Sequence, residues 1–134
     1  MGAALVDTEL EVTDNDLTAM AVDKGMMTLV DEAKQAELLT YLQSHQIQAS
    51  RASGGSAGNT IIASSYFGGK CFFSGKVADD ENGYFYMQDM HAAGVDIPSA
   101  TLESGVTGKC LILITPDAER SMNTFLGISA ELSV

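Results

Sequence analysis

A glycine-rich segment between a predicted strand and a predicted helix most constrains the fold of this chain. It lies within residues 51–69, RASGGSAGNTIIASSYFGG, and places Gly54, Gly55 and Gly58 where the helix should begin. Glycine is about 1 kcal/mol less favourable than alanine inside a helix, so the choice needs a reason. Glycine lets a ligand approach the backbone closely, and the first N–H groups of a helix have no partner within it. We therefore predict either a polar small-molecule site at the helix start or a turn that only packs helix against strand.

The common phosphate-binding motifs do not match this segment. A Walker A loop ends in Gly-Lys-Ser or Gly-Lys-Thr, whereas Gly58 is followed by Asn59. The glycine spacing also differs from the GxGxxG dinucleotide motif. The glycines alone therefore leave both interpretations open.

Predicted strands and helices alternate through the middle of the chain. Apolar spacing and cap residues predict helices at 31–44, 57–67 and 81–93, and strands at 26–30, 47–53 and 70–78. In the glycine-led helix, the apolar side is predicted to consist of Ile61, Ile62 and Tyr66. Such alternation is typical of a parallel sheet with crossover helices.

The two ends of the chain predict a separate antiparallel layer. Residues 3–12 have a strand-like pattern. Residues 107–116 and 120–127 are strand-like and flank the turn residues Asp-Ala-Glu, which is typical of a hairpin.

Composition excludes several classes of partner. Seven Lys and Arg against 18 Asp and Glu give a net charge of −11, which disfavours nucleic acid as a partner. No apolar run is long enough for a membrane span, and no basic segment precedes the first apolar residues, so we expect a cytoplasmic protein. Cys71 and Cys110 lie in apolar runs without a CxxC motif and are predicted to be buried, reduced thiols. His45 and His91 form no metal-binding motif, so no metal site is predicted.

Several segments follow one another along the chain in this order: GAALVD, GGSAGNT, GGKCFFSGKVADDENG, GVD and TGKCLILITPDAERSMNTFLG. Together they resemble the ribokinase-like, or PfkB, carbohydrate and nucleoside kinases. The adenosine-kinase-like branch is the most similar. The resemblance implies an α/β fold with a three-layer αβα core, here partial and built on a parallel sheet, and a small antiparallel β-sheet lid.

The resemblance also implies how one partial domain over residues 1–134 is organised. The lid strands would occupy approximately 4–12, 26–30, 107–115 and 120–126, and the core part approximately 31–97. In this family, substrate binds between the core and the lid.

The resemblance assigns substrate contacts to four residues near the glycine turn. Asp7, which ends the first block, would accept hydrogen bonds from substrate hydroxyls, a task that suits a carboxylate. Gly54, Gly55 and Asn59 would hold the sugar through backbone N–H groups and a side-chain amide.

Three further residues are assigned to the lid by the same resemblance. Arg120 would stabilise charge on the transferred phosphoryl group, or would instead be an ordinary surface arginine at a hairpin turn. Met122 and Leu126 would be apolar residues near the substrate. The family's usual Asn before the first-block Asp is absent, and Ser56 stands where ribokinases often have Lys, so the substrate class stays open.

The implied reaction is phosphoryl transfer from ATP, with Mg²⁺, to a hydroxyl group of a sugar or nucleoside. The family's base is the Asp of a C-terminal Gly-Ala-Gly-Asp motif, and no such motif occurs in these 134 residues. We therefore expect a fragment: the substrate-binding and lid portion of a kinase, inactive by itself and binding neither ATP nor Mg²⁺. We also expect self-association as a dimer, through the lid or an exposed sheet edge.

Two other functions are compatible with the residues. One is a non-catalytic sugar- or nucleoside-binding or interaction module, and the other is a generic α/β domain whose glycines only pack.

Overall fold

The computed structural model describes residues 1–98 and 102–132. Its strands are β1 (Leu5–Glu11), β2 (Met27–Leu29), β3 (Ala49–Gly54), β4 (Cys71–Phe72), β5 (Val77–Ala78), β6 (Val95–Asp96), β7 (Leu102–Glu103), β8 (Gly108–Ile114) and β9 (Arg120–Phe125). Its helices are α1 (Asp14–Ala19), α2 (Glu32–Ser44), α3 (Ser56–Tyr66) and α4 (Glu81–Ala92), followed by a 3₁₀ helix (Gly127–Glu131). Strands and helices alternate through the middle of the chain, as predicted.

The described chain forms two compact units. The first comprises the described parts of Met1–Asp7, Ala52–Lys109 and Leu126–Val134. In it, β4 pairs with β6 and β5 pairs with β7, both in parallel. Helix α4 connects β5 to β6, so this unit contains the parallel pairing with a crossover helix that the sequence predicts.

The core of the first unit is built from strand residues, residues directly beside the strands, and one face of α4. Its buried side chains are Ala4, Val6, Cys71, Phe73, Val77, Tyr86, Met90, Val95 and Ile97. From α3, Ile61 and Ile62 pack against this core, as predicted. The third residue predicted to face inward, Tyr66, is 74% exposed, and that prediction is wrong. Tyr66 is the last residue of α3, and the core contacts of that helix come from its earlier turns.

The second unit comprises Thr8–Arg51 and Cys110–Phe125 and contains most of a five-stranded sheet with the order β2-β9-β8-β1-β3. Strands β8 and β9 are neighbours joined by a turn, as predicted. Strand β2 pairs with β9 in parallel, with Met27 opposite Met122, so the sheet is mixed. A tight turn dictates antiparallel pairing for a hairpin, whereas strands far apart in sequence have no such constraint.

Leucine side chains dominate the core of the second unit. Its buried residues are Leu10, Val12, Leu17, Met20, Leu38, Leu42, Leu111 and Leu113. Six of them lie on β1, α1, α2 and β8, and Val12 and Met20 directly follow β1 and α1, so both helices of this unit pack against its sheet.

Of the four α-helices within the described residues, three begin with a side-chain cap and one does not. Thr13, Asp31 and Asp80 each accept a hydrogen bond from a backbone N–H in the first turn of α1, α2 and α4. Helix α3 begins instead after Gly55, and no side chain caps it. The start of α3 therefore differs from the other helix starts, because glycine stands where they have a capping side chain.

The predicted strand over 70–78 is interrupted. Its two ends form β4 and β5, which pair with different partner strands. Gly75 lies in the gap, and a Cβ there would meet the Phe73 ring at 2.6 Å and the Gly2 carbonyl oxygen at 3.0 Å. The chain at Gly75 is thus too closely covered by its neighbours for a side chain.

Cys71 and Cys110 are buried free thiols, as predicted. Among residues 1–98 and 102–132, no helix combines the length and the apolar character that crossing a bilayer requires.

Candidate functional site

The glycine turn joins the end of β3 to the start of α3. Gly54 ends the strand, and Gly55 has φ +86°, a conformation that L-residues with side chains rarely adopt. The first helical hydrogen bond runs from the Asn59 N–H to the Gly55 carbonyl oxygen, at 2.9 Å. The N–H groups before Asn59 have no partner within the helix, and the N-cap residue Gly55 has no side chain that could accept from them.

The Asp7 side chain lies directly against this turn. A Cβ built on Gly54 would coincide with the Asp7 carboxyl group, far inside the 3.0 Å that real Cβ contacts respect. Asp7 is half-buried on β1, and Gly54 is buried at the end of β3. The structure therefore brings together the carboxylate and the glycine that the sequence predicted as parts of one site.

Gly55 is required by backbone conformation and by space. In addition to its positive φ, a Cβ on Gly55 would meet the Ala3 carbonyl oxygen at 2.5 Å. Asn59 lies in the first turns of α3 with its side chain exposed. Asp7, Gly54, Gly55 and Asn59 all belong to the first unit.

Two side chains of helix α4 form hydrogen bonds with residues at the end of β3, directly before the turn. The Ser53 N–H donates to the Asp89 carboxylate at 2.9 Å. The Tyr86 hydroxyl makes a long hydrogen bond of 3.4 Å to the Gly54 carbonyl oxygen. A Cβ on Gly58 would approach that hydroxyl to 2.8 Å, so the Tyr86 hydroxyl lies beside both β3 and α3.

The electrostatic environment keeps the Tyr86 hydroxyl protonated. Burial raises the pKa of Tyr86 far above its ordinary value, and the negative charges of Asp7 and Asp89 raise it further. Tyr86 therefore remains a neutral hydrogen-bond donor throughout the physiological pH range.

Leu126 is the first residue of the last segment of the first unit and directly precedes the 3₁₀ helix. A Cβ on Gly108 would meet the Leu126 carbonyl oxygen at 2.5 Å and Cδ2 of Leu5 at 2.6 Å. The Leu5 side chain is also the third-nearest neighbour of a Cβ built on Gly55, at 4.0 Å. Leu5 thus links the surroundings of the glycine turn to those of Leu126.

Arg120 and Met122 lie on β9, in the second unit. The Arg120 guanidinium pairs with the Glu9 carboxylate at 3.3 Å, and the two side chains are 59% and 43% exposed. Met122 is half-buried, and its N–H donates to the Met26 carbonyl oxygen at 2.8 Å. Arg120 is therefore an ion-paired surface residue in this structure.

Sequence reasoning did not indicate that Tyr86 and Asp89 contact the residues of the candidate site. The apolar spacing of α4 predicted that Tyr86 is a core residue, and the structure confirms it. That spacing did not indicate which group the Tyr86 hydroxyl contacts. A polar pair three residues apart on a buried helix face, Tyr86 and Asp89, is the signal that could have indicated it.

Comparison with known proteins agrees with this architecture. A family model described as pfkB family carbohydrate kinase matches residues 17–134. The aminoimidazole riboside kinase of Salmonella typhimurium is 33% identical over 82 residues, which cover 60% of this chain and 26% of that protein.

Solved structures give the same picture over nearly the whole chain. The adenosine kinase of Sinorhizobium meliloti is 38% identical with a TM-score of 0.83, over 98% of this chain and 39% of that one. A probable sugar kinase of Rhizobium etli is 37% identical with the same TM-score and the same coverage. The adenosine kinase of Anopheles gambiae, 22% identical with a TM-score of 0.84, shares the fold.

The chain thus spans about a quarter of the length of its curated relative and about two-fifths of the solved structures. Its α/β fold is the ribokinase-like fold of those kinases. With a family match over most of its residues, the chain belongs to the pfkB family of carbohydrate kinases.

Proposed function

We propose that this chain binds the hydroxyl-bearing sugar of a small molecule, a free sugar or the ribose of a nucleoside, at the Asp7 carboxylate and the glycine turn. The observation that carries the proposal is the Asp7 carboxyl group against Gly54, beside a helix start that no side chain caps. The chain would thereby supply the substrate-binding portion of an ATP-dependent kinase.

The chemistry of the two partners suits a polyol. An ionised carboxylate accepts hydrogen bonds from two hydroxyl groups, and each bond is strengthened by charge. The backbone N–H groups at the α3 start can donate to hydroxyl oxygens from the other side. The exposed Asn59 amide, in the first turns of the same helix, can add both a donor and an acceptor.

The relatives favour a riboside as the first ligand to test. Two of the proteins to which this chain is similar are named for adenosine and for aminoimidazole riboside. A free sugar is the alternative within the same chemistry, because the proposed contacts involve only hydroxyl groups.

The second unit is proposed to supply the lid. Strands β2 and β9, and the parts of β1 and β8 that belong to this unit, fall within the segments that the family resemblance assigns to the lid. We assign Met122 and Leu126 to apolar substrate contacts, and Arg120 to the transferred phosphoryl group. Exposed ion pairs contribute only about 0–1 kcal/mol, so Arg120 could leave Glu9 at little cost.

ATP and Mg²⁺ are implied for the kinase reaction as a whole. Among residues 1–98 and 102–132, no group of three His, Cys, Asp or Glu side chains is arranged to hold a metal ion. The sequence also contains no Gly-Ala-Gly-Asp segment to supply the family's base. We therefore assign sugar binding to these 134 residues and expect them to transfer no phosphate by themselves.

We also propose that two copies associate through the edge strand β2. Met27 and Leu29 lie on one face of this strand and are 57% and 62% exposed. Strand β2 ends the sheet, so its outer backbone groups are open to another strand.

Calorimetric titration with adenosine, ribose and fructose tests the function, and 2′,3′-dideoxyadenosine is the matched control ligand. Binding of adenosine or a sugar, with at least about tenfold weaker binding of the dideoxy analogue, is expected because two charge-assisted hydrogen bonds are lost. Equal affinity for adenosine and its dideoxy analogue would contradict the proposal. An assay for ADP with ATP, Mg²⁺ and the same ligands tests the expected lack of transfer.

A further inference from the structure

Two side chains of α4 contact the backbone of the glycine turn from its buried side. Asp89 accepts the Ser53 N–H at 2.9 Å, and the Tyr86 hydroxyl reaches the Gly54 carbonyl oxygen at 3.4 Å. In the reverse direction, the Ser53 hydroxyl donates to the Tyr86 carbonyl oxygen at 3.4 Å. The last two residues of β3 are thus tied to one face of α4.

Tyr86 also contacts the helix on the far side of the turn. Its ring is fully buried in the core of the first unit, and its hydroxyl lies where a Cβ on Gly58 would come within 2.8 Å. A single side chain therefore packs against the strand before Gly55 and the helix after it. The turn between them is the part of the chain that faces Asp7.

From this geometry we infer that Tyr86 and Asp89 are positioning residues for sugar binding. They hold residues 53–58 so that Gly54 stays against the Asp7 carboxylate and the uncapped start of α3 stays open. We propose no direct contact between either residue and the ligand. The inference rests on the proposed function for its effect on binding, but the anchoring itself can be measured without a ligand.

The α4 helix supplies its own matched controls. Tyr84 also lies on α4, is half exposed, and donates its hydroxyl to Asp79, away from the turn. Tyr86→Phe and Asp89→Ala remove the two anchors, whereas Tyr84→Phe and Asp79→Ala make the same chemical changes at the exposed pair. Asp89→Asn keeps an acceptor oxygen for Ser53 and should restore part of the loss.

The first measurement is amide hydrogen exchange by NMR in the absence of ligand. In Tyr86→Phe and Asp89→Ala, exchange at residues 53–59 should accelerate up to about tenfold, which corresponds to about 1.4 kcal/mol of lost local stability. Exchange at Leu111 and Leu113, in the other core, should not change. Unchanged exchange at residues 53–59 in both variants would overturn the anchoring.

The second measurement is the dissociation constant for adenosine and ribose. It should rise about tenfold in Tyr86→Phe and Asp89→Ala, less in Asp89→Asn, and not in the control variants. Faster exchange with an unchanged dissociation constant would overturn the positioning role. If the unaltered chain binds no sugar, the proposed function fails, and the exchange data still decide the anchoring.

A third variant tests direct contact between Tyr86 and the α3 side of the turn. Gly58→Ala places a methyl group 2.8 Å from the Tyr86 hydroxyl, so it should accelerate exchange at residues 53–59. The same substitution in the Tyr86→Phe background should have a smaller effect, because the hydroxyl is gone. Equal effects in the two backgrounds would contradict the contact.

Discussion

The Asp7 carboxyl group occupies the space that a side chain on residue 54 would need. Residue 54 is not among the glycines with positive φ, so space and not backbone conformation requires glycine there. Gly55 differs, because its φ of +86° and the nearby Ala3 carbonyl both exclude a side chain. Glycine is thus required at these two adjacent positions for different physical reasons.

Gly54→Ala should abolish or strongly weaken sugar binding. The new methyl group must displace the Asp7 carboxylate, which removes a charge-assisted acceptor worth about 1.5–3 kcal/mol and raises the dissociation constant at least about tenfold. Titration calorimetry with adenosine measures it. Gly68→Ala is the control: it has open space and φ +86°, so it should cost about 1 kcal/mol of stability and leave binding intact. Unaltered binding in Gly54→Ala would contradict the assigned site.

Asp7→Asn should weaken binding without a large loss of fold. The amide keeps one acceptor oxygen but loses the charge that strengthens bonds to hydroxyl groups, so the dissociation constant should rise by about tenfold or more. Glu11→Gln, at the exposed end of the same strand, makes a comparable change and should have no effect. Circular dichroism spectra of both variants should match that of the unaltered chain. A shift of equal size in Glu11→Gln would indicate a general charge effect.

Asp80→Asn should remove a pH-dependent part of the stability of the first unit. Partial burial of Asp80 raises its pKa, but hydrogen bonds from the Thr107 hydroxyl, the Thr107 N–H and the Gly83 N–H outweigh this, so the pKa lies below its ordinary 3.8. A depressed folded-state pKa gives stability that is present above about pH 4 and is lost as pH falls through the folded-state pKa.

Urea unfolding at several pH values measures this effect. At pH 7, Asp80→Asn should lower the free energy of unfolding by about 1–2 kcal/mol, since asparagine still caps a helix but forms weaker bonds to Thr107. The difference from the unaltered chain should shrink as the pH falls toward 3. A difference that does not change with pH would show that the Asp80 charge does not stabilise the fold.

Substitution of Met27 and Leu29 by lysine should abolish self-association. Both side chains are exposed, so the change should cost little stability, and charges on an edge strand oppose pairing with another strand. Light scattering coupled to size exclusion should show a dimer for the unaltered chain and a monomer for the double variant. Tyr66→Lys, an exposed aromatic residue elsewhere, should remain dimeric. A monomeric unaltered chain would refute the proposed association.

Local chemistry in the sequence predicted the glycine turn of the candidate site. Gly54 and Gly55 are poor helix formers placed where a helix is predicted to begin. This disagreement between residue type and predicted structure can be seen in the sequence alone. The prediction that this turn and Asp7 form one site came from the family resemblance. Asp7 is far from Gly54 and Gly55 in sequence, and no periodicity connects them.

Tertiary contacts explain what the sequence did not predict. Tyr66 has the spacing of an inward-facing residue, but α3 contacts its core through earlier residues such as Ile61 and Ile62. The orientation of β2 relative to β9 has no local determinant. The hydrogen bond from the Tyr86 hydroxyl to the Gly54 carbonyl oxygen depends on how α4 packs. The apolar spacing of α4 therefore indicated only that Tyr86 is a core residue.

The most direct test of the central claim is an NMR titration of the ¹⁵N-labelled chain with adenosine and ribose. The account predicts saturable shifts centred on the amides of Asp7, Gly54, Gly55 and Asn59, and their loss in Asp7→Asn. Saturable shifts centred elsewhere, or shifts at the glycine turn that persist in Asp7→Asn, would contradict the claim that this carboxylate and this turn bind the sugar together.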